Sequence, residues 1–466
     1  MINIYLPDEK PYGERIMEEL EFKNKVFEVE QLMKLINNHK TEIPMILTGQ
    51  RYYDNEPDII FAEPPHNFDG IIDKTKPDWR IPTAYHANMV DQKVEYMVGD
   101  PPTITHQNNK LNQLVNEHLD DDFGDDLIDI LKSTSNKGNS WLHIYIDENG
   151  EFNYVEIPTE EIIPIWADRK CKELDAIIRH YVSDDILKVE YWTKEDVTYY
   201  EMHNGSLVLD YSYDEPYTTH YNNESWGRVP FVEFKNNSDN VGDIWRYKAI
   251  IDAINKRISD LQNTFDESTD LIHILKGYEG EDLREFMVNL KHYKAINVAH
   301  DGDVDTIRVD VPVQSSLEYL QNMKEYLIQF GRGVDFSQDK LGNSPSGISI
   351  KFLYGNLDLK VKPLARKTHV AIQSLIWFIL KFYDLNTDEY KTFDISFNYN
   401  RLVNELEQTD IVSRSQTMLS QKTLLSHHPF VTDVEKELEQ MNAESVFYTQ
   451  DTSEKVDDND EESEGN

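Results

Sequence analysis

Along this chain the spacing of apolar positions changes from helical to alternating and back to helical. Val26, Val29, Leu32, Met33 and Ile36 recur at helical spacing in a polar opening stretch, so residues 1–48 read as an N-terminal helical segment. From about Gly49 to Pro82 proline, aspartate and aromatic residues crowd together, and an irregular path is expected. Helices are predicted over His86–Met97, stopped by Gly99 and Pro101–Pro102, and over Lys110–Leu131, interrupted by aspartates. Between Trp141 and Phe234 the pattern is β. Trp141–Ile146 and Phe152–Ile157 flank an Asp147–Gly150 turn, and Val197–His203 and Ser206–Ser212 flank Asn204–Gly205, a strong two-residue hairpin signal.

Beyond Asn237 the period becomes helical again. Ile244, Tyr247, Ile251, Ile254, Ile258, Leu261 and Phe265 form a strict two-in-seven seam, the narrow stripe of a helix packed lengthwise on another helix. A second such helix covers Val313–Gly331, with Leu317, Leu320, Met323, Leu327 and Phe330 on one face, Pro312 before it and Gly333 after. Between them lies a compact insert. Leu271–Leu275 and Ala295–Ala299 read as strands, Glu281–Lys291 as a helix, and Asp301–Asp303 as a turn before Thr306–Val311. Asp335–Gly347 is a polar loop. A long helix over Ile348–Tyr383 follows, with a kink or break expected at Pro363, since proline in a helix interior costs about 3 kcal/mol. Phe393–Tyr399 reads as a strand, and Leu402–Leu419, Gln421–Leu425 and Val431–Ser445 as helices. No internal repeat is evident.

Composition narrows the function. The 466 residues suit two or three domains. With 46 basic and 86 acidic side chains the net charge is −40. A dominant basic surface gripping nucleic-acid phosphates is thereby disfavoured, and any contact with DNA is expected to be loose. Asp451–Asn466 carries eight acidic residues against Lys455 alone and is expected to be disordered. One cysteine, Cys171, excludes an internal disulfide and any CxxC metal site, as suits a reducing cytoplasm. Asp8, Glu9 and the lack of an apolar run argue against a signal peptide. The longest apolar run, Leu375–Leu380, is far below the roughly 20 residues that span a bilayer, so no membrane partner is expected.

Chemical constellations are weak. Asp301, Asp303 and Asp305 have D-x-D-x-D spacing but lack the rest of a calcium loop, and a solvated turn is the better reading. Six acids lie between Asp120 and Asp129 without a histidine to complete a metal triad, so a charged helix face is expected. His427–His428 precede Pro429 in a helix connector and have no nucleophile partner. Trp245 and Trp377 read as packing residues, and Cys171 as a small apolar one. Gly227, Gly342 and Gly347 make turns and not a phosphate loop, and no G-x-x-x-x-G-K-[ST] is present. No cofactor, metal or catalytic residue is expected, and the chain reads as no enzyme.

The order of segments carries a resemblance. NMVDQKVEYMVGDPP (Asn88–Pro102), ESWGRVPFVEFKNN (Glu224–Asn237) with IIDAINKRISDLQNTFDE (Ile250–Glu267), LKGYEGEDLREFMVNLK (Leu275–Lys291), LGNSPSGISIKF (Leu341–Phe352) and LSQKTLLSHHPFVTDVEKELEQMNAE (Leu419–Glu444) resemble, in order, the segments of siphophage-type portal proteins. The similarity runs from about residue 50 to 445. It implies an α+β portal fold: a β-rich wing (49–240 and 384–400), two stem helices (241–268 and 312–334), a small α/β clip (269–311), a tunnel loop (335–347), a tunnel helix with the helix that follows it (348–383), a helical crown (401–446) and an acidic tail (447–466). The resemblance further implies a homo-dodecamer, or a thirteen-subunit ring in isolation, at the portal vertex of the virion, assembled in the host cytoplasm. Such a ring conducts double-stranded DNA without sequence preference in packaging and ejection. Its implied partners are the terminase large subunit, a head-completion adaptor, and the major capsid and scaffolding proteins.

Carried onto this sequence, the clip residues that would meet motor or adaptor are Lys276, Tyr278, Glu279, Asp282, Arg284, Glu285, Asp301 and Asp303. The loop facing the DNA would be Gln338, Asp339, Lys340, Leu341, Gly342, Asn343, Ser344, Pro345 and Ser346. Lys340 would place a ring of weak positive contacts in an acidic channel that otherwise repels phosphates, or be an ordinary solvated lysine. The rival readings are an acidic monomeric adaptor or DNA mimic that binds basic partners, and a metal-dependent nuclease or phosphatase built on carboxylates.

Overall fold

A computed structural model describes residues 29–212, 216–221, 223–268, 272–276, 303–307, 313–335, 347–400, 405–431, 434 and 436–443. Its elements, in chain order, begin with helix α1 (Val29–Tyr53), α2 (Tyr85–Val98), strand β1 (Thr103–Thr105), α3 (Asn109–His118) and α4 (Asp121–Lys137). The β region is β2 (Asn139–Ile146), β3 (Phe152–Ile157), β4 (Ile162–Trp166), β5 (Leu174–Ser183), β6 (Ile186–Trp192), β7 (Asp196–His203), β8 (Ser206–Leu209), β9 (Tyr217–Thr219) and β10 (Phe231–Lys235). Helix α5 (Lys248–Ser268), strands β11 (Ile272–Lys276) and β12 (Asp303–Ile307) and helix α6 (Val313–Gly331) follow. The long helix α7 (Gly347–Phe382), β13 (Asp394–Ser396), α8 (Glu405–Ser415) and α9 (Gln421–Leu425) complete the described chain. The class is mixed α+β.

Among the described residues every strand pairing is antiparallel. Strands β4 to β8 follow one another in one sheet, with β9 also pairing β7, and β10-β2-β3 form a second. Asn204–Gly205 closes the β7–β8 hairpin with both residues at positive φ, the conformation this dipeptide tolerates best. Alternation along β5 sends Ile177 to one face and Ala176 and Ile178 to the other. On the first face Ile177, Trp192 and Val197 meet Trp141, Ile157 and Phe231 of the three-stranded sheet. On the second, Ala176, Ile178 and Val189 are covered by Leu32 and Ile36 of α1. This helix extends to Tyr53, past Gly49, where the sequence had suggested that irregular chain begins. A Cβ at Gly49 would lie 2.0 Å from the Asn136 carbonyl oxygen, so the glycine is required by the close crossing of α1 over α4.

The chain divides into two compact units. The described residues up to Gly333, with Leu359–Asn400, form one, and Val334–Asp358 with the described residues beyond Arg401 form the other. In the first, β1 pairs with β13 across most of the sequence, so residues near 395 return to the element that follows α2. The run Leu375–Leu380 of α7 is buried on all sides, with Phe378 edge-on to Trp226 at 5.5 Å and Trp377 under the Arg228 guanidinium at 3.8 Å. No helix among the described residues is long and apolar enough to cross a membrane. In the second unit, α8 and the α9 region meet through Gln408, which donates to the His427 carbonyl at 2.8 Å.

Helix α1 is tied to the sheet by imidazoles. His39 Nδ1 lies 2.8 Å from His180 Nε2 on β5, so one ring donates to the other and the accepting ring must be neutral. Burial pulls each down to about 4, opposed at His39 by Glu160 and reinforced at His180 by His39 and then Lys40. Burial, then Arg179 and His220, pulls His143 down to about 3. The folded chain therefore binds these protons only near pH 4 and below, while the unfolded chain binds them near pH 6.5. Stability is fully present above about pH 6.5 and declines as the pH falls toward 4, by at most about 1.4 kcal/mol per unit for each ring. Thermal melting between pH 7.5 and 4.5 is expected to show this decline, and His180→Phe is expected to flatten it.

Candidate functional site: the anchored two-helix stem

Helices α5 and α6 run antiparallel. A Cβ at Gly331, the end of α6, would lie 3.4 Å from the Tyr247 ring just before α5, while further out the Arg257 guanidinium sits 5.2 Å from the ring of Tyr319. At the base Ile244, Tyr247, Ile251, Ile254 and Leu327 are buried together with Tyr52 of α1 and Met89 of α2, and Ile258, Leu320 and Met323 pack against them half-buried. Leu261 is half-buried. Phe265, Leu317 and Phe330 remain 39%, 51% and 54% exposed, so the seam is covered within one chain mainly at its base. Strands β11 and β12 pair between the two helices, with Lys276 opposite Asp303. Tyr278, Glu279, Asp282, Arg284, Glu285 and Asp301 lie outside the described residues, as do Gln338, Asp339, Lys340, Leu341, Gly342, Asn343, Ser344, Pro345 and Ser346.

An extended strap braces α5 along its length. The Trp79 amide donates to Asn263 Oδ1 at 2.7 Å, the Ile81 amide to Ser259 Oγ at 2.9 Å, and Thr83 Oγ1 to Asn255 Oδ1 at 2.6 Å. The Trp79 indole N–H also donates to Asp266. The helix partners recur at i, i+4 and i+8, one face of α5, so an irregular chain satisfies its backbone donors on helix side chains.

The foot of the stem is a buried polar junction. Asp243 Oδ2 accepts from Lys93 Nζ of α2 and from Lys360 Nζ of α7, each at 3.0 Å. Its other oxygen accepts from Asn236 Nδ2 at 2.9 Å. Lys93 completes its donors on Asn236 Oδ1 at 2.6 Å and Ser135 Oγ at 3.0 Å, and Lys360 donates to the Gly331 carbonyl at 3.1 Å. Lys93 is 1% exposed and Asp243 5%. The two ammonium groups hold the Asp243 carboxyl far below the usual carboxylate range despite burial. Burial lowers Lys93 to about 8, opposed by Asp243, so it stays charged at neutral pH. Alongside, His86 Nε2 lies 3.0 Å from Asn136 Oδ1, an acceptor, and therefore carries the proton. Its Nδ1 then accepts from the Tyr247 hydroxyl at 2.9 Å, and burial holds this imidazole neutral, at about 4.

Pro363 does not end α7, which runs through it from Gly347 to Phe382. A proline frees the carbonyl four residues earlier, that of Leu359. Arg332 Nη1 donates to that oxygen at 3.4 Å, just after the α6 terminus, where Arg332 itself has φ 54°. So α6 caps the gap in α7, while Lys360 of α7 caps the last carbonyl of α6.

Lys93 was findable from sequence. It stands among Met89, Val90, Val94 and Met97 on the apolar stripe of a predicted helix, where a lysine is out of place unless paired. Its partners Ser135, Asn236 and Asp243 lie 42, 143 and 150 residues away, and no local pattern identifies them. Members of the acidic cluster have structural roles. Asp120 caps α4 on the amides of Asp122 and Phe123, Asp126 accepts from the Tyr154 hydroxyl, and among the described residues no group of His, Cys, Asp and Glu is arranged to hold a metal.

Asp243→Asn keeps the shape but leaves two buried ammonium groups without their carboxylate. It is expected to cost about 3–5 kcal/mol in denaturant unfolding, against less than about 1 kcal/mol for the exposed Asp410→Asn, whose ion pair with Arg414 is solvated.

Comparison with known proteins agrees over most of the chain. The model of the phage portal protein family, SPP1 Gp6-like, matches residues 32–447. The portal protein of Bacillus phage SPP1 is 34% identical over 441 residues, covering 90% of this chain and 87% of that one. The portal protein of Clostridium phage phiCD119 is 31% identical over 440 residues, 88% of this chain and 94% of that one. A chain from a solved virion of a native gene transfer agent particle matches at 10% identity with a TM-score of 0.42, over 73% of this chain and 88% of that chain. This chain belongs to the SPP1 Gp6-like family of phage portal proteins.

Proposed function

We propose that the chain is the structural subunit of a twelve-membered portal ring at one capsid vertex of a tailed phage, through which double-stranded DNA is packaged and ejected. The observation that carries this reading is the stem: two antiparallel helices anchored at one end in a buried ionic junction, with Leu317 and Phe330 of their seam left exposed in a single chain. A monomer gains nothing from exposing these side chains, whereas a ring supplies the missing lengthwise partners. Membership of the portal family supports the same role.

In this reading β11, β12 and the residues between them form the clip that docks the terminase large subunit and later the head-completion adaptor. Residues 335–347 reach the lumen, and the rest of the chain contacts capsid and scaffolding proteins. Packaging energy comes from the motor, and the chain itself turns over neither nucleotide nor nucleic acid. At −40 per subunit the assembly carries 12 × −40 = −480, which favours sliding of DNA over adhesion. The particle is assembled in the host cytoplasm.

Light scattering after gel filtration is expected to give a particle near 12 × 54.6 ≈ 655 kDa, or one subunit more, with a central channel in negative stain. A stable 54.6 kDa species at all concentrations and salts contradicts the ring and favours the acidic adaptor.

A further inference from the structure

Two flanks of the stem stay uncovered within one chain, and they are unlike each other. On α6, Tyr319, Tyr326 and Phe330 are 36%, 46% and 54% exposed. They recur at i, i+7 and i+11, beside the stripe of Leu320, Met323 and Leu327 that turns toward α5, and the rings of Tyr326 and Phe330 stack at 6.0 Å. Next to them on the open side stand Glu318 and Glu325. Each accepts from a glutamine of its own helix, Gln314 at 2.9 Å and Gln321 at 3.5 Å, and neither has an ion-pair partner among the described residues.

The outer flank of α5 carries small residues near the base, Ala249 and Ala253, and then Lys256, while Arg257 turns to the Tyr319 ring of its own chain. Lys256 is exposed and has no ion-pair partner among the described residues. The antiparallel pairing fixes relative heights, because Tyr247 lies level with Gly331 and Arg257 level with Tyr319. Counting inward from these two levels, Ala249 and Ala253 bracket the height of Tyr326, Phe330 lies just below Ala249 toward the base, and Lys256 falls between the heights of Glu325 and Glu318. Asp260 lies a turn further out, beyond that window. A large side chain thus matches small ones, and two acids match a base, at similar heights on different flanks of one stem.

Rotation about an axis parallel to the helices preserves height, so each flank meets its match only on another copy. Because the two flanks differ, the contact is head-to-tail, the kind that closes into a ring and not into a two-fold dimer. We propose that neighbouring stems pack through this pair: Tyr326 seats over Ala249 and Ala253 of the next copy, and that copy's Lys256 lies between Glu325 and Glu318. The inference rests on the ring reading and deepens it by naming the faces that meet.

The test is oxidation of the full-length Lys256→Cys/Glu325→Cys double variant in a Cys171→Ser background, read by non-reducing electrophoresis. The expected result is a ladder of covalent oligomers above the monomer. A Lys256→Cys/Lys324→Cys control, whose second site is on the far flank of α6, is expected to give no ladder. Charge reversal supplies a second measurement. Lys256→Glu is expected to shift light scattering from ring toward smaller species, and adding Glu325→Lys to restore the ring. A wild-type ring whose cysteine pair gives no ladder, or whose reversal leaves assembly unchanged, overturns this contact and leaves the ring standing. A wild-type monomer in light scattering removes the ring itself.

Discussion

Asp243 sits in the protein interior between two lysines, and the rest of the stem depends on how that arrangement is held. One carboxylate and two ammonium groups leave a net positive charge in a place where water would otherwise solvate all three. The cluster is tolerable because all three Lys93 donors find an oxygen and Lys360 finds two: Asn236, Ser135 and the Gly331 carbonyl complete what Asp243 begins. Buried ion clusters add little net stability compared with apolar packing, but breaking one is expensive. The consequence here is geometric. Lys93 belongs to α2, Asn236 follows β10, Asp243 precedes α5, Gly331 ends α6 and Lys360 lies on α7, so one cluster sets the relative position of the sheet, both stem helices and the long helix.

The exchange between α6 and α7 shows how such a junction turns a local defect into a joint. Pro363 leaves the Leu359 carbonyl without its helical donor, and Arg332 supplies one; the Gly331 carbonyl lacks a helical donor because α6 ends, and Lys360 supplies one. Each helix repairs the other. The site of a broken backbone ladder is therefore held from two sides, and α7 continues through Pro363.

Much of the fold was legible in the sequence, for identifiable reasons. The hairpin at Asn204–Gly205 is a local backbone preference, and the seam of Ile244, Tyr247, Ile251 and Ile254 is a periodicity; both signals are written within a few residues. The extension of α1 past Gly49 was not, because it depends on Asn136 lying against that glycine. Nor was the continuity of α7, because the side chain that compensates Pro363 comes from Arg332. The junction was half legible: a lysine on an apolar stripe announces a buried partner, but the partner is chosen by tertiary structure. The seam also concealed that Leu317, Phe265 and Phe330 stay exposed in one chain, since periodicity marks a face without saying whether the same chain or another covers it.

If Asp243 holds α5, α6 and the Pro363 region of α7 together, those segments open as one cooperative unit. Hydrogen exchange measured by mass spectrometry on the wild-type protein and on Asp243→Asn tests this directly. The account predicts that the substitution lowers protection in peptides from all three helices together, by a common factor, while the core strands β5 and β6 keep theirs. Loss confined to the residues around Asp243, with α6 and α7 as protected as before, would contradict it.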